Sequence, residues 1–405
     1  MLGQIEFFFR MTYFLNATVF TGTEWITGAS VQVDNGRIKE ISTAQNLVDP
    51  TTSDSTVIDL DGDYLIPGLI DLQLYGGSQI FLNEQPTPEA VRHIYDSHAT
   101  NGTTTLLPTI HSTSLDIMQQ AMAAVQVVRS ENPYGVPGIH LEGPYFNPVK
   151  RGAHSPAFVR TPAEGELEAL FSANADAIHI LTLAPEMLSP EQLETINTLK
   201  HPNTQLSLGH SNATYQQAMH AFDVVGIPLA THLYNAMRGF ESREPGVVGA
   251  VFDNQHVHAS IIADGYHCDL ATIRIARKQL GERLFLISDA LFANPPRPNF
   301  TLGQFVVHFE PDTDTSGEFR PGRYVNNEGK LAGSAITLID CVRICVNRVG
   351  FSLIDALRMA SVIPAEILGM GNELGRIQPG YIANLVRLDR LLSVKSVWTT
   401  GEQIR

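Results

Sequence analysis

The sequence is poor in cysteine and in basic residues, and each deficit excludes a class of protein. The three cysteines, Cys268, Cys341 and Cys345, form no Cys-x-x-Cys pair, so a disulfide framework is excluded and a reducing, cytoplasmic location is expected. Lysine and arginine number 27 against 42 aspartates and glutamates, which gives a net charge of −15. Nucleic acids and anionic membranes need basic surfaces, so neither is expected as a partner.

Long apolar runs are missing as well. No segment approaches the roughly 18 consecutive apolar residues of a membrane-spanning helix. The N-terminal MLGQIEFFFR has neither the basic start nor the small-residue cleavage site of a signal peptide, so none is expected there. The chain has 405 residues, 43% of them hydrophobic, which is enough to bury the core of one large domain and one smaller domain.

Both ends of the chain have the character of β-strands. VQVDNGRIKEI alternates apolar and polar residues around Asn35-Gly36, a pattern typical of a tight hairpin. The C-terminal GRIQPGYIANLVRLDRLLSVKSVWTTGEQIR has the same character. These two segments are distant in the sequence but share the same strand-like pattern. They predict a small β-sandwich domain built from both chain termini, residues 11–66 and 371–405.

Between residues 67 and 370, short apolar runs alternate with longer amphipathic ones, as in repeated βα units. The runs are GLIDLQL, TTTLLPTI, GIHLEG, AIHILTLAP, TQLSLGH, IPLATHL, VHASIIADG and LFLISDA. Eight parallel strands with intervening helices close a (β/α)8 barrel, so the predicted fold class is α/β with a TIM-like barrel. The turn-rich segment after the eighth run predicts a long loop or a β-hairpin insertion near the barrel mouth, and SLIDALRMASVIPAEILGM predicts helices that close the barrel.

Several of these runs end in a polar side chain. Active sites of such barrels lie at the C-terminal strand ends, so these side chains are expected to converge. Any one of them alone would more often be structural, and only the shared position favours function. The residues are Gln73, Glu142, His210, His232, Asp264 and Asp289.

Glu142, His210 and His232 have the residue types of a metal site. Two imidazoles and one carboxylate that leave a position open for water form a typical catalytic zinc arrangement, whereas a hydrogen-bonded core histidine is the alternative for either imidazole alone. Asp289 is placed to take a proton from the attacking water and pass it to the leaving group. It could also cap the next helix, and the two roles are compatible.

Three further residues are candidates for substrate contacts. His267 in IADGYHC could hold or polarise a carbonyl or hydroxyl group, the alternative being an ordinary loop histidine. Arg243 in ESREPG and His154 in KRGAH are candidates for an anionic group, because a guanidinium binds phosphate through two parallel hydrogen bonds. A solvated surface side chain is the ordinary alternative for Arg243.

In their order along the chain, these motifs resemble the N-acetylglucosamine-6-phosphate deacetylases of the amidohydrolase superfamily. The resemblance rests on PGLIDLQLYGG, HLEGPYFNPVKRGAH, LGHSNATY, THLYNAM followed by REPG, IIADGYHCD, LISDA and LAGSAITL. It implies hydrolysis of N-acetylglucosamine 6-phosphate to glucosamine 6-phosphate and acetate. The galactosamine epimer, another acylated amino-sugar phosphate and a cyclic amide are alternative substrates. A non-catalytic binding protein would be expected to lack Asp289 or one of the three metal-site residues.

The resemblance also implies the roles of individual residues. Glu142, His210 and His232 would hold one divalent ion per chain, with zinc favoured and iron, cobalt or manganese as alternatives, and Asp289 would be the general base and acid. Arg243 would reach the phosphate across a homodimer interface with the help of His154. The remaining sugar-site residues would be Ala153, Asn235, Ala236, His267, Ala332, Gly333 and Ser334.

One departure from the superfamily pattern lies in DLQLYGG. Superfamily members with Asp-x-His-x-His in this strand hold a second metal or bind their one metal more deeply, but the two histidine positions are Gln73 and Tyr75 in this chain. Glutamine is a poor zinc ligand and tyrosine an uncommon one. A single ion is therefore expected, with Gln73 at most hydrogen-bonded to a water beside it.

Overall fold

The computed structural model describes residues 11–43, 55–292, 296–312 and 321–405. The segment MLGQIEFFFR, for which no signal peptide is expected, lies outside these ranges. The strands are β1 (Met11–Phe20), β2 (Trp25–Asp34), β3 (Arg37–Thr43), β4 (Ser55–Asp59), β5 (Tyr64–Pro67), β6 (Leu69–Leu74), β7 (Thr103–His111), β8 (Ile139–Glu142), β9 (Ile178–Leu183), β10 (Gln205–Leu208), β11 (Leu229–Ala230), β12 (His258–Ile262), β13 (Leu284–Ile287), β14 (Asn299–Leu302), β15 (Phe305–Glu310), β16 (Arg323–Asn326), β17 (Leu385–Leu388), β18 (Val394–Thr399) and β19 (Glu402–Gln403).

The α-helices alternate with the strands of the middle of the chain. They are α1 (Pro88–Ala99), α2 (Leu115–Glu131), α3 (Glu166–Phe171), α4 (Pro190–Leu199), α5 (Tyr215–His220), α6 (Gly246–Asp253), α7 (Leu270–Leu280), α8 (Leu338–Ile344), α9 (Leu353–Ala360) and α10 (Val362–Ile367). Several begin directly after a residue whose side chain accepts a free backbone N–H of the first turn, as Thr87 does for α1 and Ser114 for α2. Within the described ranges, no helix is both long enough and apolar enough to span a bilayer.

Strands β6 to β13 form one parallel sheet in chain order. The backbone N–H of Tyr75 donates to Ala290 O at 2.9 Å and that of Asp289 donates to Gln73 O at 3.0 Å, so the last strand of the sheet is joined to the first. The predicted (β/α)8 barrel is therefore confirmed, and each of the eight runs overlaps one of its strands. Parallel strands covered on both faces are typically continuously apolar, and β13, whose four residues are all apolar and buried, follows this pattern.

The joint between the first and last strands is reinforced by a buried carboxylate. Asp71 in β6 accepts the backbone N–H of Ser288 at 3.2 Å and that of Gln73 at 3.2 Å. Burial raises the pKa of Asp71 to about 7, and these hydrogen bonds oppose the rise. The contacts fix the position of β13 against β6 directly below Asp289.

The remaining strands of both termini form a second sheet, with the order β19-β18-β17-β5-β1-β2-β3 and with β4 paired to β1. The predicted hairpin is confirmed: β2 and β3 are joined by Asn35 and Gly36, whose φ angles are 50° and 74°. Phe14 in β1 and Trp398 in β18 stand three strands apart in the sheet, yet their ring centroids are 4.8 Å apart. The sheet therefore curls over a core of its own, as a sandwich does, while the boundaries 11–66, 67–370 and 371–405 stay a prediction.

The segment after the barrel's last strand forms the predicted insertion. Strands β14, β15 and β16 make a small antiparallel sheet. Phe300 and Tyr324 of this sheet share a hydrophobic cluster with Tyr75 and Ala153, which belong to the barrel mouth. The insertion thus lies beside the strand ends where the candidate site is expected. The predicted helices that follow it are α9 and α10.

Two leucines of the small domain provide a matched test of its core. Leu385 in β17 is fully buried, whereas Leu391, six residues on, is 80% exposed. Leu385→Ala should lower the free energy of unfolding by about 2–5 kcal/mol, because it removes apolar contacts and leaves a cavity. Leu391→Ala should change it by no more than about 0.5 kcal/mol. Urea denaturation checks both, and equal midpoints would contradict the assigned core.

Candidate active site

Four of the predicted residues meet at the mouth of the barrel. Glu142 is the last residue of β8, and His210, His232 and Asp289 each lie two residues beyond the end of their strands, β10, β11 and β13. All four are buried and line one cavity of about 130 Å³. A larger cavity of about 700 Å³ lies against α4 and α5, but none of these four residues lines it.

Three of the four residues have an uncommon backbone conformation. The φ angles of His210, His232 and Asp289 are 49°, 36° and 54°, in the left-handed region that costs a non-glycine residue roughly 1–2 kcal/mol. Such strain persists only where the surrounding structure enforces it, and it concentrates at functional sites. Here the left-handed backbone conformation turns each side chain away from the line of its strand and into the shared cavity.

The Glu142–His210–His232 trio has the geometry of a metal site. Glu142 Oε1 lies 3.2 Å from His210 Nε2 and 3.1 Å from His232 Nε2, and the two nitrogens are 3.1 Å apart. Ligands placed tetrahedrally at zinc distances stand about 3.3 Å from one another. Two N–H groups could not point at each other over 3.1 Å, whereas two nitrogen lone pairs can share one cation. The donor set therefore fits a divalent ion.

The tautomer of His210 suits a ligand. Its Nδ1 lies 2.9 Å from the carbonyl oxygen of Lys150, which can only accept, so Nδ1 carries the hydrogen and the lone pair of Nε2 faces the trio. Burial lowers the pKa of His210 to about 4, so the ring is neutral. Burial alone would raise the pKa of Glu142, but the electrostatic effect of His154 and the hydrogen bonds of His154, His210 and His232 hold it well below its usual value. Glu142 is thus an anionic ligand.

A second group, His111, Glu142 and His154, also brings three potential ligand atoms within 4.8 Å. The backbone N–H of Ser112 donates to His154 Nδ1 at 3.3 Å, so His154 carries its hydrogen on Nε2 and donates it to Glu142 Oε2 at 3.1 Å. A protonated nitrogen has no lone pair for a metal. The rings of His111 and His154 also stack at 3.4 Å and 12°, so their in-plane lone pairs run parallel rather than converging. The first group is the metal-site candidate.

The first strand contributes hydrogen-bond donors. Gln73 Nε2 lies 2.9 Å from Glu142 Oε1, from Asp289 Oδ1 and from the Tyr75 hydroxyl. The Tyr75 hydroxyl donates to Glu142 Oε2 at 2.5 Å and lies 3.2 Å from Asp289 Oδ1. Burial, followed by the charges of Asp289 and Glu142, raises the pKa of Tyr75 well above its usual value, so the phenol keeps its proton. Burial and then the Glu142 charge also raise the pKa of Asp289.

His267 is oriented by a buried carboxylate. Its Nδ1 donates to Asp264 Oδ2 at 2.6 Å, and Asp264 Oδ1 accepts the backbone N–H groups of Tyr266 and His267 at 2.8 Å. Burial opposes the charge on Asp264, but these contacts, led by His267, lower its pKa. His267 lines the cavity, so its Nε2 is the ring nitrogen left for a ligand.

The other predicted residues divide by position. Those that line the same cavity are Ala153, His154, Asn235, Ala236 and Gly333. Ala332 and Ser334 are buried beside the cavity lining, and the Ser334 hydroxyl donates to Ser288 O at 2.5 Å, so it supports the segment that carries Asp289. Both ring nitrogens of His154 are engaged by Ser112 and Glu142. Arg243 is exposed and has no hydrogen-bond or ion-pair partner within the described ranges, and its phosphate role stays a prediction.

The sequence interpretation missed His111. This residue ends β7 and lines the cavity, and its ring is stacked on that of His154. The same strand-end rule identifies it, because the apolar run TTTLLPTI is followed directly by His111. The pairing of Asp264 with His267 was also missed, although both stand in the short motif IIADGYHCD.

Known proteins resemble this chain over most of its length. The sequence model of the amidohydrolase family matches residues 64–404. An N-acetylgalactosamine-6-phosphate deacetylase of Shewanella sp. (strain ANA-3) is 35% identical over 353 residues, 87% of this chain and 86% of the relative. An N-acetylglucosamine-6-phosphate deacetylase of Haemophilus influenzae is 32% identical over 374 residues, 92% of this chain and 93% of the relative. The crystal structure of N-acetylglucosamine-6-phosphate deacetylase from Pasteurella multocida superposes with a TM-score of 0.87 at 31% identity, covering 97% of this chain and 99% of that one.

The two candidate metal groups can be told apart by one pair of variants. His210→Asn should weaken binding of a divalent ion by at least about 10–100-fold, because it removes a ligand and its lone pair. His111→Asn should leave metal content unchanged, since His111 belongs only to the second group. Elemental analysis of the purified proteins measures both. Loss of the ion from the His111 variant alone would reverse the assignment.

Proposed function

The chain belongs to the amidohydrolase family, and on that premise we propose that it hydrolyses the acetamide of N-acetylglucosamine 6-phosphate to glucosamine 6-phosphate and acetate. One observation carries the proposal: Glu142, His210 and His232 bring three ligand atoms to one point, and Asp289 lies in the same cavity. The similar deacetylases cover nearly the whole chain, which supports the same reaction. The enzyme would serve amino-sugar metabolism.

The metal requirement follows from the donor set. Glu142, His210 and His232 would hold one divalent ion, and zinc is favoured because two imidazoles and a carboxylate suit it, with iron, cobalt or manganese as alternatives. Such an ion polarises a carbonyl oxygen and lowers the pKa of water toward about 7. Its positive charge would also oppose the rise in the pKa of Asp289, which is caused first by burial and then by the charge of Glu142.

Asp289 is the proposed general base and acid. Gln73 Nε2 holds its Oδ1 at 2.9 Å, which fixes the carboxylate and leaves Oδ2 to exchange protons. The carboxylate takes a proton from the water whose oxygen attacks the acetyl carbon. As the carbon–nitrogen bond breaks, it returns that proton to the leaving amine nitrogen. Water and amide are thereby converted to acetic acid and amine, which separate as acetate and an ammonium group once the second proton of the water has passed to the amine.

His267 is the proposed substrate-orienting residue of the cavity. Asp264 accepts its Nδ1–H, so the ring cannot rotate without breaking a 2.6 Å hydrogen bond. Nε2 would then contact the substrate carbonyl or a neighbouring hydroxyl. Ala153, Ala236 and Gly333 bring small side chains or none to the wall, which leaves room for a sugar ring.

The phosphate would be bound by Arg243, and we place that contact between two copies of the chain. Arg243 is exposed and does not line the cavity of its own chain, which fits a side chain that serves a neighbour in a homodimer. With a net charge of −15, the chain needs such a local cation to attract an anionic substrate.

All three cysteines are unpaired and buried, which suits a reducing cytoplasm.

The galactosamine epimer is the second candidate substrate. Its support is the relative from Shewanella, named for that epimer, which is 35% identical to this chain, against 32% for the glucosamine enzyme of Haemophilus influenzae. The two sugars differ in the orientation of one hydroxyl group. The same metal trio and Asp289 would act on either.

Acetate release from the two epimers tests the function directly. The wild-type chain should release acetate from N-acetylglucosamine 6-phosphate with the higher kcat/KM, and a chelator should abolish the activity. Asp289→Asn should lower kcat by about 10²–10⁴-fold, because a positioned acid–base contributes that much, while metal content stays unchanged. Faster turnover of the galactosamine epimer would replace the first substrate with the second. Undiminished kcat in the variant would remove Asp289 from the mechanism.

Arg243 can be tested by comparing phosphorylated and unphosphorylated sugars. Arg243→Ala should raise KM for the 6-phosphate by about 10–100-fold, since a hydrogen bond to a charged group is worth about 1.5–3 kcal/mol. KM for N-acetylglucosamine itself should not change. Equal effects on both sugars would make Arg243 a surface residue without a role in phosphate binding.

A further inference from the structure

The ring of His210 is oriented by a short segment of a different loop. Phe146 stacks on this ring, with centroids 4.2 Å apart and planes inclined by 18°. The carbonyl oxygen of Lys150 accepts its Nδ1–H at 2.9 Å. Phe146 and Lys150 belong to the loop after β8, whereas His210 belongs to the loop after β10. The direction of the Nε2 lone pair therefore depends on how these two loops are held against each other.

Glu186 lies between the two loops and contacts both. It follows β9, the strand between β8 and β10 in the barrel, and stands in the short helical turn Pro185–Met187. On one side, its Oε1 accepts Asn147 Nδ2–H at 3.1 Å. On the other side, Oε1 accepts the backbone N–H of Asn212 at 2.7 Å and Oε2 accepts the Ser211 hydroxyl at 2.8 Å. One carboxylate thus bridges the loop that orients the His210 ring and the loop that carries it.

The main chain completes this bridge. The backbone N–H of Asn147 donates to His210 O at 3.0 Å. Asn147 Oδ1 accepts the backbone N–H of Val149 at 3.1 Å, which fixes the amide so that its Nδ2 faces Glu186. The left-handed φ of 49° at His210 persists only where surrounding contacts maintain it. Glu186 supplies such contacts, because it holds the two residues that directly follow His210.

We infer that Glu186 is a positioning residue that aims His210 Nε2 at the metal ion by holding the loops after β8 and β10 together. The inference rests on the proposed metal-dependent function, and it goes beyond that function by giving the loop after β9 a part in the site. Glu186 does not line the cavity that contains the metal-site residues, so it acts through His210 rather than by contact with the ion or the substrate. The strand-end rule does not identify it, because the run AIHILTLAP ends in apolar residues.

The partners of Glu186 determine which substitutions keep the bridge. Glutamine has the same length, and its carbonyl oxygen can accept from both Asn147 Nδ2 and the backbone N–H of Asn212, while its amide can donate to the Ser211 hydroxyl oxygen. Alanine offers no acceptor, so the two loops lose their common partner. A role based on hydrogen bonds is therefore preserved by glutamine, whereas a role based on negative charge is not.

Zinc affinity is the property that should respond. Glu186→Ala should lower it by about 10-fold or more, because residues that orient a ligand typically contribute that much. Glu186→Gln should restore most of the affinity. Glu194→Ala is the matched control, since Glu194 lines the same 700 Å³ cavity as Glu186 but is exposed and has no hydrogen-bond or ion-pair partner in the part of the chain that the structure describes.

Affinity is measured by competition with a chromophoric chelator, with zinc as the only added metal, and circular dichroism verifies that each variant is folded. Should Glu186→Ala not fold, Asn147→Asp breaks the bridge at its other end. It keeps the acceptor for Val149 but replaces the donor with a carboxylate that repels Glu186, so zinc affinity should again fall. Unchanged affinity in the folded variant, an equal fall in Glu194→Ala, or no recovery in Glu186→Gln would overturn the positioning role.

Coupling to His210 separates positioning from a general loss of stability. His210→Asn lowers zinc affinity by itself, and adding Glu186→Ala should lower it no further, because no imidazole remains to be aimed. An additional fall as large as the one in the wild-type background would show that Glu186 does not act through His210 and would overturn the inference.

The failure of this inference is distinguishable from that of the proposed function. A wild-type chain whose zinc affinity depends on Glu186 but which releases no acetate would support the positioning role and refute the deacetylase. A chain that releases acetate but binds zinc equally well after Glu186→Ala would do the reverse.

Discussion

The buried carboxylate of Glu142 is the group on which the rest of the site depends. An ionised carboxylate removed from water is costly unless its oxygens are fully engaged. His210, His232 and Gln73 lie at one oxygen, and Tyr75 and His154 lie at the other. These partners come from β6, from the loop after β8 and from the ends of β10 and β11. Only a closed barrel brings such distant segments to one point.

Asp289 adds a second buried carboxylate to the same cavity. The negative charge of Glu142 repels a second one at Asp289, and after burial this repulsion is the next cause of the raised pKa of Asp289. The two carboxylates share Gln73 Nε2 as a donor, but an amide has no net charge to cancel this repulsion. A divalent ion held by Glu142, His210 and His232 would supply the positive charge that cancels this repulsion. The left-handed backbone at His210, His232 and Asp289 directs these three side chains toward Glu142. The hydrogen bonds of Asp71 that join β13 to β6 support this arrangement.

Much of this arrangement could be predicted from sequence because strand ends are read from local pattern. An apolar run followed by a polar residue identified Glu142, His210, His232 and Asp289, and the barrel rule placed them at one mouth. Contacts between elements leave no such local trace. The hydrogen bond from His154 to Glu142 follows from the path of a loop, and the interpretation of His154 as a phosphate ligand used only its residue type. The strand-end rule also applies to His111, because this residue directly follows the run TTTLLPTI, which ends at Ile110.

The first strand shows why a missing metal motif is weak evidence of lost chemistry. The trio, Asp289 and the Asp264–His267 pair are all supplied by strands other than β6, so Gln73 and Tyr75 can differ from histidine without removing any of them. What changes at these two positions is how the facing carboxylates are neutralised. Neutral N–H and O–H donors engage the same oxygens that a cation would bind, and they do so without drawing a ligand from the trio. The proposed general base and the proposed site for one ion lie at or just beyond the ends of β8, β10, β11 and β13, so neither depends on a histidine in the first barrel strand.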